Sequence, residues 1–299
     1  MSDRIQHLSI PCTPFYDTNP TKMLSISAKC DDCLNLSIAF ITAIYGNYEN
    51  SCKPYVPQTI PCDFICFTNN PHIQANGWEV DSFPYHEDAP PLDNGNYVNS
   101  IKNNKHLFNI AKYYKQSFLN INRLRKYNIV VWLDGTVKII HPMTAEWIVR
   151  KINKKNSIIT IEHPRLDGLE GEMKDSATMG RYTSTHHRGQ DQPFQNVTKQ
   201  YQDYLKDGYN DAHWKSLEPN RKHFGVWVTC FVAFDVRLEH IKKFLDMWYM
   251  ETLNHTTQDQ MSFSYVLQKT NISPYTLPDS EIYGDVSRND LFIKLDHGC

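Results

Sequence analysis

The chain has 299 residues, of which 40% are hydrophobic and 12% aromatic, and its formal net charge is −2. This length and apolar content suffice for one large α/β domain or two small ones. The balanced charge gives no general attraction to nucleic acid or to an anionic membrane surface, so neither is expected as a partner. No run of about 18 consecutive apolar residues occurs, so no membrane span is predicted.

Residues 1–35 lack the basic and then apolar pattern of a signal peptide. Their mixture of Ser, Thr, Pro and Asn predicts an irregular amino-terminal arm, followed by a single domain over residues 36–299. Because neither a signal peptide nor a membrane span is predicted, we expect the chain to be cytoplasmic.

Apolar runs rich in β-branched and aromatic residues predict strands, and apolar residues three or four positions apart predict helices. The predicted strands cover residues 38–45, 63–68, 78–83, 129–133, 137–140, 157–161, 224–234 and 291–295. The predicted helices cover residues 101–118, 144–152, 194–205, 241–248 and 258–268, and the polar segment 173–196 is predicted to be a long loop. This alternation indicates an α/β fold with a mostly parallel central sheet flanked by helices, in which ligands bind at the carboxyl ends of strands.

Asp134 directly follows the apolar run 129–133, at the strand end where an open α/β sheet places its ligand. Thr136 lies two residues further on, on the same side of an extended chain. Such a pair can face one hard cation, Mg²⁺ or Mn²⁺, which completes its coordination with substrate phosphates. The alternative interpretation is an Asp-Gly turn that joins two strands.

Eight segments occur in an order and spacing typical of a known family. They are TAIYGNYE (42–49), CDFICFTN (62–69), a lysine-bearing helix after Asn99, VWLDGTVKI (131–139), EHPR (162–165), YLKDGYND (204–211), VWVTCFVAFD (226–235) and QDQMSFSYV (258–266). In these segments, over about residues 38–268, the chain resembles the glycosyltransferase-like proteins that include plant seed-mucilage proteins and many bacterial and viral members. The resemblance implies a GT-A-like, Rossmann-type single domain that uses a nucleotide sugar.

The resemblance also implies residues that bind the donor. Thr42, Ala43, Tyr45 and Gly46 end the first strand, where GT-A enzymes hold the base and ribose, and Tyr45 is expected to stack on uracil. Asn69, after the second strand, is expected to read the base edge. The alternatives are an ordinary strand-to-helix turn and a turn cap.

Four further residues are expected at the donor. Lys102 and Lys105, near the start of a helix, are expected to meet the diphosphate, and Thr229 is expected beside the sugar. Arg165 can clamp a phosphate in bidentate fashion, or it can pair with Glu170 or Glu172. The alternative for the lysines is a solvated helix surface.

The metal and the chemistry are also assigned through the resemblance. Asp134 would belong to the metal-binding Asp-x-Asp, although the third position here is Thr136, and His297 would be a late third ligand. Asp259 and Gln260 match the Asp-Gln pair of retaining enzymes, with a helix cap as the alternative.

The function expected from the sequence is therefore a glycosyltransferase that depends on Mn²⁺ or Mg²⁺, uses a UDP-linked donor, and transfers to a glycan or other acceptor with retention of configuration. Asp235 and Glu170 remain possible general bases for an inverting reaction. Two alternative functions belong to other classes. The first is a catalytically idle module that binds a sugar or a partner protein, and the second is a metal-dependent hydrolase.

Overall fold

A computed structural model describes residues 35–46, 49–82, 107–178, 186–187, 190–191, 196–221 and 223–297. Residues 1–34 of the predicted arm, and the predicted diphosphate ligands Lys102 and Lys105, lie outside these ranges. In the described part of the chain, no helix combines the length and the apolar character needed to cross a membrane.

The described strands are β1 (Ile38–Ile44), β2 (Asp63–Thr68), β3 (Glu79–Asp81), β4 (Ile129–Leu133), β5 (Val137–Ile139), β6 (Ile158–Glu162), β7 (His186–His187), β8 (Gln190–Asp191), β9 (Trp227–Asp235), β10 (Tyr275–Leu277) and β11 (Phe292–Lys294). The described α-helices are α1 (Leu107–Gln116), α2 (Thr144–Lys151), α3 (Leu169–Thr178), α4 (Val197–Lys206), α5 (Asp211–Leu217), α6 (Glu239–Asn254) and α7 (Asp259–Thr270). Two single 3₁₀ turns, Phe118–Asn120 and Asn122–Leu124, connect α1 to β4.

Seven strands form the central sheet in the order β10-β6-β9-β4-β1-β2-β3. Every pairing is parallel except those of β9, which runs antiparallel to both β4 and β6. The other pairs, β5 with β11 and β7 with β8, are antiparallel. The prediction of an α/β fold with a mostly parallel central sheet is confirmed, and this architecture is compatible with a Rossmann-like fold.

Both faces of the sheet are covered, as is typical of parallel strands. In β1, Ala39 and Ile41 point toward the helices α1, α6 and α7, whereas Ile38, Phe40 and Ile44 point to the face that α2 covers. The continuous apolar run of β1 therefore serves two hydrophobic layers. Residues at the strand ends are placed by cores on both sides.

The predicted loop 173–196 is wrong in its first part, because residues up to Thr178 belong to helix α3. Asp211 at the start of α5 caps α3: its carboxylate accepts the backbone N–H of Leu169 at 2.6 Å and of Glu170 at 3.3 Å. Gly168 permits this approach, since a Cβ there would lie 2.7 Å from the Cγ of Asp211. The capping residue lies 42 residues further along the chain, so no local sequence pattern predicted the helix.

The seven-residue α5 and the three-residue β10 were also not predicted.

Candidate functional site

The ammonium group of Lys115, in the last turn of α1, connects residues from three other elements. It contacts three oxygens: Oδ2 of Asp259 at 2.6 Å, Oγ1 of Thr229 at 3.0 Å and Oδ1 of Asp134 at 3.5 Å. Three residues that the sequence assigned to one site therefore meet at one nitrogen atom. The Lys115 side chain is only 2% exposed, and the rings of Trp132 and Trp248 lie 5.5 and 5.9 Å from its nitrogen.

A second lysine shares the Asp259 carboxylate. Lys112 Nζ lies 2.9 Å from Asp259 Oδ2, and Lys112 and Lys115 stand one helical turn apart on α1. Burial alone would raise the pKa of Asp259, but the two ammonium groups hold it well below its usual range. Burial lowers the pKa of Lys112, and Asp259 offsets this only in part. For Lys115, Asp134 and Asp259 outweigh burial and keep the pKa above its usual value.

Asp134 sits in a tight turn and also faces the lysines. Its backbone oxygen accepts the N–H of Val137 at 2.8 Å, so the segment is the Asp-Gly turn that one interpretation predicted. Its carboxylate is 41% exposed, and Oδ1 accepts the indole N–H of Trp132 at 2.7 Å. The turn does not form a β4–β5 hairpin, because β5 pairs with β11 instead. The turn thus presents a fixed carboxylate where the parallel strands have their carboxyl ends. We call this side of the sheet its carboxyl-end edge.

Asp259 and Gln260 begin α7, as the sequence predicted for that pair. The cap alternative finds little support: the residue preceding α7 makes no side-chain cap bond, and the Asp259 carboxylate faces two lysines. Asp259 is nearly buried, with 6% of its side chain exposed, whereas Gln260 is half-buried. Among the described residues, the Gln260 side-chain amide has no hydrogen-bond partner. That amide is available to a ligand at this edge.

The end of β1 and the end of β2 are joined by a hydrogen bond between two predicted donor-binding residues. Asn69 Oδ1 accepts the backbone N–H of Gly46 at 2.9 Å. Gly46 has φ of +69°, a conformation that glycine adopts readily. Asn69 therefore shapes the turn after β1, the role that the alternative interpretation gave it.

The side chains of β1 point away from the expected contact with a base. Tyr45 is buried, and its ring stacks on Tyr114 with 5.4 Å between centroids. Thr42 is buried on the same face of β1 as Phe40 and Ile44, the face that α2 covers. Its hydroxyl has no hydrogen-bond partner among the described residues. Ala43, on the α1 face, is half-buried. The part of this segment that reaches the edge is the backbone at Gly46.

The predicted metal ligands do not form a three-ligand set. In the ranges that the structure describes, no group of three or more His, Cys, Asp or Glu side chains is arranged to hold a metal ion. Thr136 is buried, and His297 Nδ1 lies 2.5 Å from Oε1 of the buried Glu49. Asp134, with an exposed carboxylate engaged through one oxygen, fits a divalent ion as a single protein ligand.

His297 reaches Glu49 because the carboxyl-terminal strand β11 pairs with β5, next to the Asp134 turn. The N–H of Leu295 donates to the Thr136 carbonyl oxygen at 2.9 Å. Lys53 lies 2.9 Å from the other oxygen of Glu49. These contacts hold the carboxyl-terminal residues against the turn that carries Asp134.

Arg165 follows β6 at the same edge, because β6 and β4 both run antiparallel to β9 and so end together. Its side chain is 74% exposed, and its nearest carboxylate is Asp175 at 4.0 Å. The predicted pairing with Glu170 or Glu172 is wrong. Glu170 pairs with Lys174 at 2.7 Å, and Glu172 is buried against Ser176.

Asp235 is not suited to act as a general base at this site. It ends β9 opposite Ile129, the first residue of β4, and therefore lies at the other edge of the sheet. Its buried carboxylate is paired with Arg237 at 2.6 Å. The suggestion that Asp235 serves an inverting reaction is wrong for this geometric reason.

The sequence interpretation missed Lys112 and Lys115, although a signal was present. Lys115 lies four residues after Ala111 and three before Phe118, on the apolar stripe of its helix. A lysine inside an apolar stripe is costly unless a carboxylate receives it. Its position could therefore have been matched to Asp134 or Asp259.

The chain matches no protein-family model and no curated protein.

Proposed function

We propose that this protein is a glycosyltransferase with a GT-A-like fold that moves a sugar from a UDP-linked donor to a glycan or other acceptor. The observation that carries the proposal is the convergence of Asp134, Thr229 and Asp259 on the ammonium of Lys115. These residues come from segments that resemble one glycosyltransferase-like family. The cluster lies at the carboxyl-end edge of a mostly parallel sheet, where such folds bind ligands.

The charges suit the departure of a nucleoside diphosphate. Cleavage of the sugar–phosphate bond places negative charge on the leaving group, and fixed cations in a partly buried site stabilise it. Lys112 and Lys115 supply two such charges, and Arg165 at the same edge is largely exposed. A Mn²⁺ or Mg²⁺ ion, held by Asp134 and by the donor phosphates, would add Lewis-acid stabilisation of the diphosphate.

The start of α7 suits the sugar. Asp259 can position the sugar hydroxyls, and the amide oxygen of Gln260 can face the positive charge that develops at the anomeric carbon. An amide is a poor nucleophile, so we infer a front-side displacement with retention of configuration and without a stable covalent intermediate. His297, bonded to Glu49, would support the Asp134 turn, with Thr136 buried within that turn.

Two observations favour a second candidate, an idle module that binds a sugar or a partner protein. The Asp259 carboxylate is neutralised by two lysines, and Thr136 replaces the second Asp of the Asp-x-Asp motif. Release of UDP from a panel of UDP-sugars separates the two candidates. Binding of UDP without release from any donor would favour the module.

Calorimetric titration of UDP with and without Mn²⁺ tests the central assignment. We expect Asp134→Ala to abolish Mn²⁺-dependent binding and to stay folded, because Lys115 keeps its contact with Asp259. The melting temperature should fall somewhat, since Lys115 and the Trp132 indole N–H each lose a partner. Asp203→Ala, which removes a carboxylate from a helix surface pair with Lys199, is the matched control and should bind like the wild type. Wild-type affinity in Asp134→Ala would overturn the metal assignment.

A further inference from the structure

The imidazole of His163, one residue after β6, is held in a single orientation by the backbone. Its Nδ1 accepts the N–H of Arg165 at 3.3 Å and the N–H of Leu166 at 3.1 Å. The backbone N–H of His163 donates to the carbonyl oxygen of Val226 at 2.9 Å, which fixes the main chain that carries the ring. Because Nδ1 acts as an acceptor, the proton of the neutral ring must lie on Nε2.

The Nε2–H group of His163 is a donor that is unpaired within the described part of the chain. The ring is half-buried, and no hydrogen bond from Nε2 reaches any residue that the structure describes. Burial, and then the charge of Arg165, lower the pKa of His163 to about 4, so the ring is neutral near pH 7. A neutral, oriented N–H group recognises an oxygen acceptor without adding a charge.

The position of His163 suits a substrate contact. The end of β6 lies at the same edge as the end of β4, with β9 between them, so His163 and Asp134 occupy one edge of the sheet. Arg165, two residues on, is largely exposed beside it. A phosphoryl oxygen or a sugar hydroxyl is the kind of group that this pair can receive.

We propose that His163 is a substrate-binding residue that donates its Nε2–H to an oxygen of the nucleotide-sugar donor. This inference rests on the proposed function and adds a residue to it. The two sources of that oxygen, the nucleoside diphosphate and the sugar, are separated by measuring UDP binding and turnover in parallel.

Two substitutions divide the functions of the two ring nitrogens. His163→Asn keeps an acceptor near Nδ1 and removes the distal donor, so the melting temperature should stay near that of the wild type. His163→Gln keeps a distal amide donor and removes the acceptor for two backbone N–H groups, so the melting temperature should fall.

We expect His163→Asn to weaken the substrate interaction by about tenfold, the loss of one hydrogen bond. A weaker Kd for UDP assigns the oxygen to the nucleoside diphosphate. Unchanged UDP affinity with a lower kcat/KM for the UDP-sugar assigns it to the sugar. His163→Asn with wild-type UDP affinity and wild-type kcat/KM overturns the proposal.

The failure of this proposal differs from a failure of the proposed function. If the wild type binds UDP and His163→Asn behaves identically, only the role of His163 is lost. If the wild type neither binds UDP nor releases it from any donor, both fall together. Nitrogen-15 NMR of the histidine rings adds a readout without substrate: a proton on Nδ1 of His163 at pH 7 would also overturn the proposal.

Discussion

Lys115 is the residue on which the candidate site most depends. Its ammonium is nearly inaccessible and contacts carboxylates from β4's end and from α7's start. A buried ion pair adds little net stability when intact, but loss of one partner leaves a buried charge that is costly. The lysine charges that we propose to bind the donor diphosphate therefore also affect the stability of the fold.

We predict that Lys115→Met lowers the free energy of unfolding by about 3 kcal/mol, because Asp259 loses one of its two cations in a buried setting. Lys126→Met is the control, since Lys126 is 68% exposed and lies 3.9 Å from Asp63, and it should change stability by less than about 0.5 kcal/mol. Urea unfolding measures both variants. Equal stability of the two variants would show that the Lys115 contacts are not structural.

Gln260 should act mainly in the transition state. We predict that Gln260→Ala lowers kcat about a hundredfold while the affinity for the donor changes little, which is the pattern of a group that stabilises developing charge. Gln268→Ala, near the other end of the same helix, is the control and should retain turnover. Full turnover with a lower melting temperature in Gln260→Ala would remove the main support for a retaining reaction.

At the level of elements, the start of α7 is fixed by a buried polar network from α3 and α4. The amide of Gln258, the residue before α7, donates to the carboxylate of Glu172 and to Ser176 Oγ. Thr256 donates to Gln200 Oε1 at 2.5 Å. Because such networks require matched donors and acceptors, they specify the position of the segment that carries Asp259.

This network gives a double-mutant prediction. Gln258→Glu should destabilise the protein by about 3 kcal/mol or more, because two carboxyl groups then meet in a buried site. Glu172→Gln removes the buried charge but leaves two amides to compete. The combined exchange, Glu172→Gln with Gln258→Glu, restores one amide and one carboxylate and should recover a large part of the loss. Additive losses in thermal unfolding of the double variant would contradict this pairing.

At the level of the whole molecule, the free energy of unfolding should depend on pH. The folded pKa of His163 is about 4, below its unfolded value of about 6.5. Between these values the unfolded chain binds more protons, so stability falls as the pH falls from about 6.5 to 4. His141 and His255, whose pKa values burial also lowers, act in the same direction. Glu162 and Glu251, whose pKa values burial raises, act against it. Asp259, with a depressed pKa, adds a loss below about pH 4.

We predict that the melting temperature falls from pH 7 to pH 4 and that His163→Asn reduces this slope, because the variant lacks one of the titrating groups. Calorimetry at constant ionic strength across this range measures the effect. Parallel pH profiles for the wild type and His163→Asn would mean that the folded imidazole titrates like an unfolded one.

Local pattern predicted many of the elements correctly. The runs at β2 and β4 were predicted with the bounds that the structure shows, because strands buried on both faces are continuous apolar runs in the sequence. The same local reasoning placed Asp134 at a strand end and Asp259 and Gln260 at a helix start. Strand ends and helix starts depend on residues that are close together in the chain, so the sequence alone can predict them.

Tertiary structure alone decided what depends on distant partners. It set β9 antiparallel between β4 and β6, and it formed α3 under a cap from Asp211. It also brought Lys115 to Asp134 and Asp259, although the lysines predicted from the sequence were Lys102 and Lys105. Which turn of α1 reaches the strand ends depends on how the helix packs on β1 and α6, and helical periodicity specifies a face but not a height along the sheet.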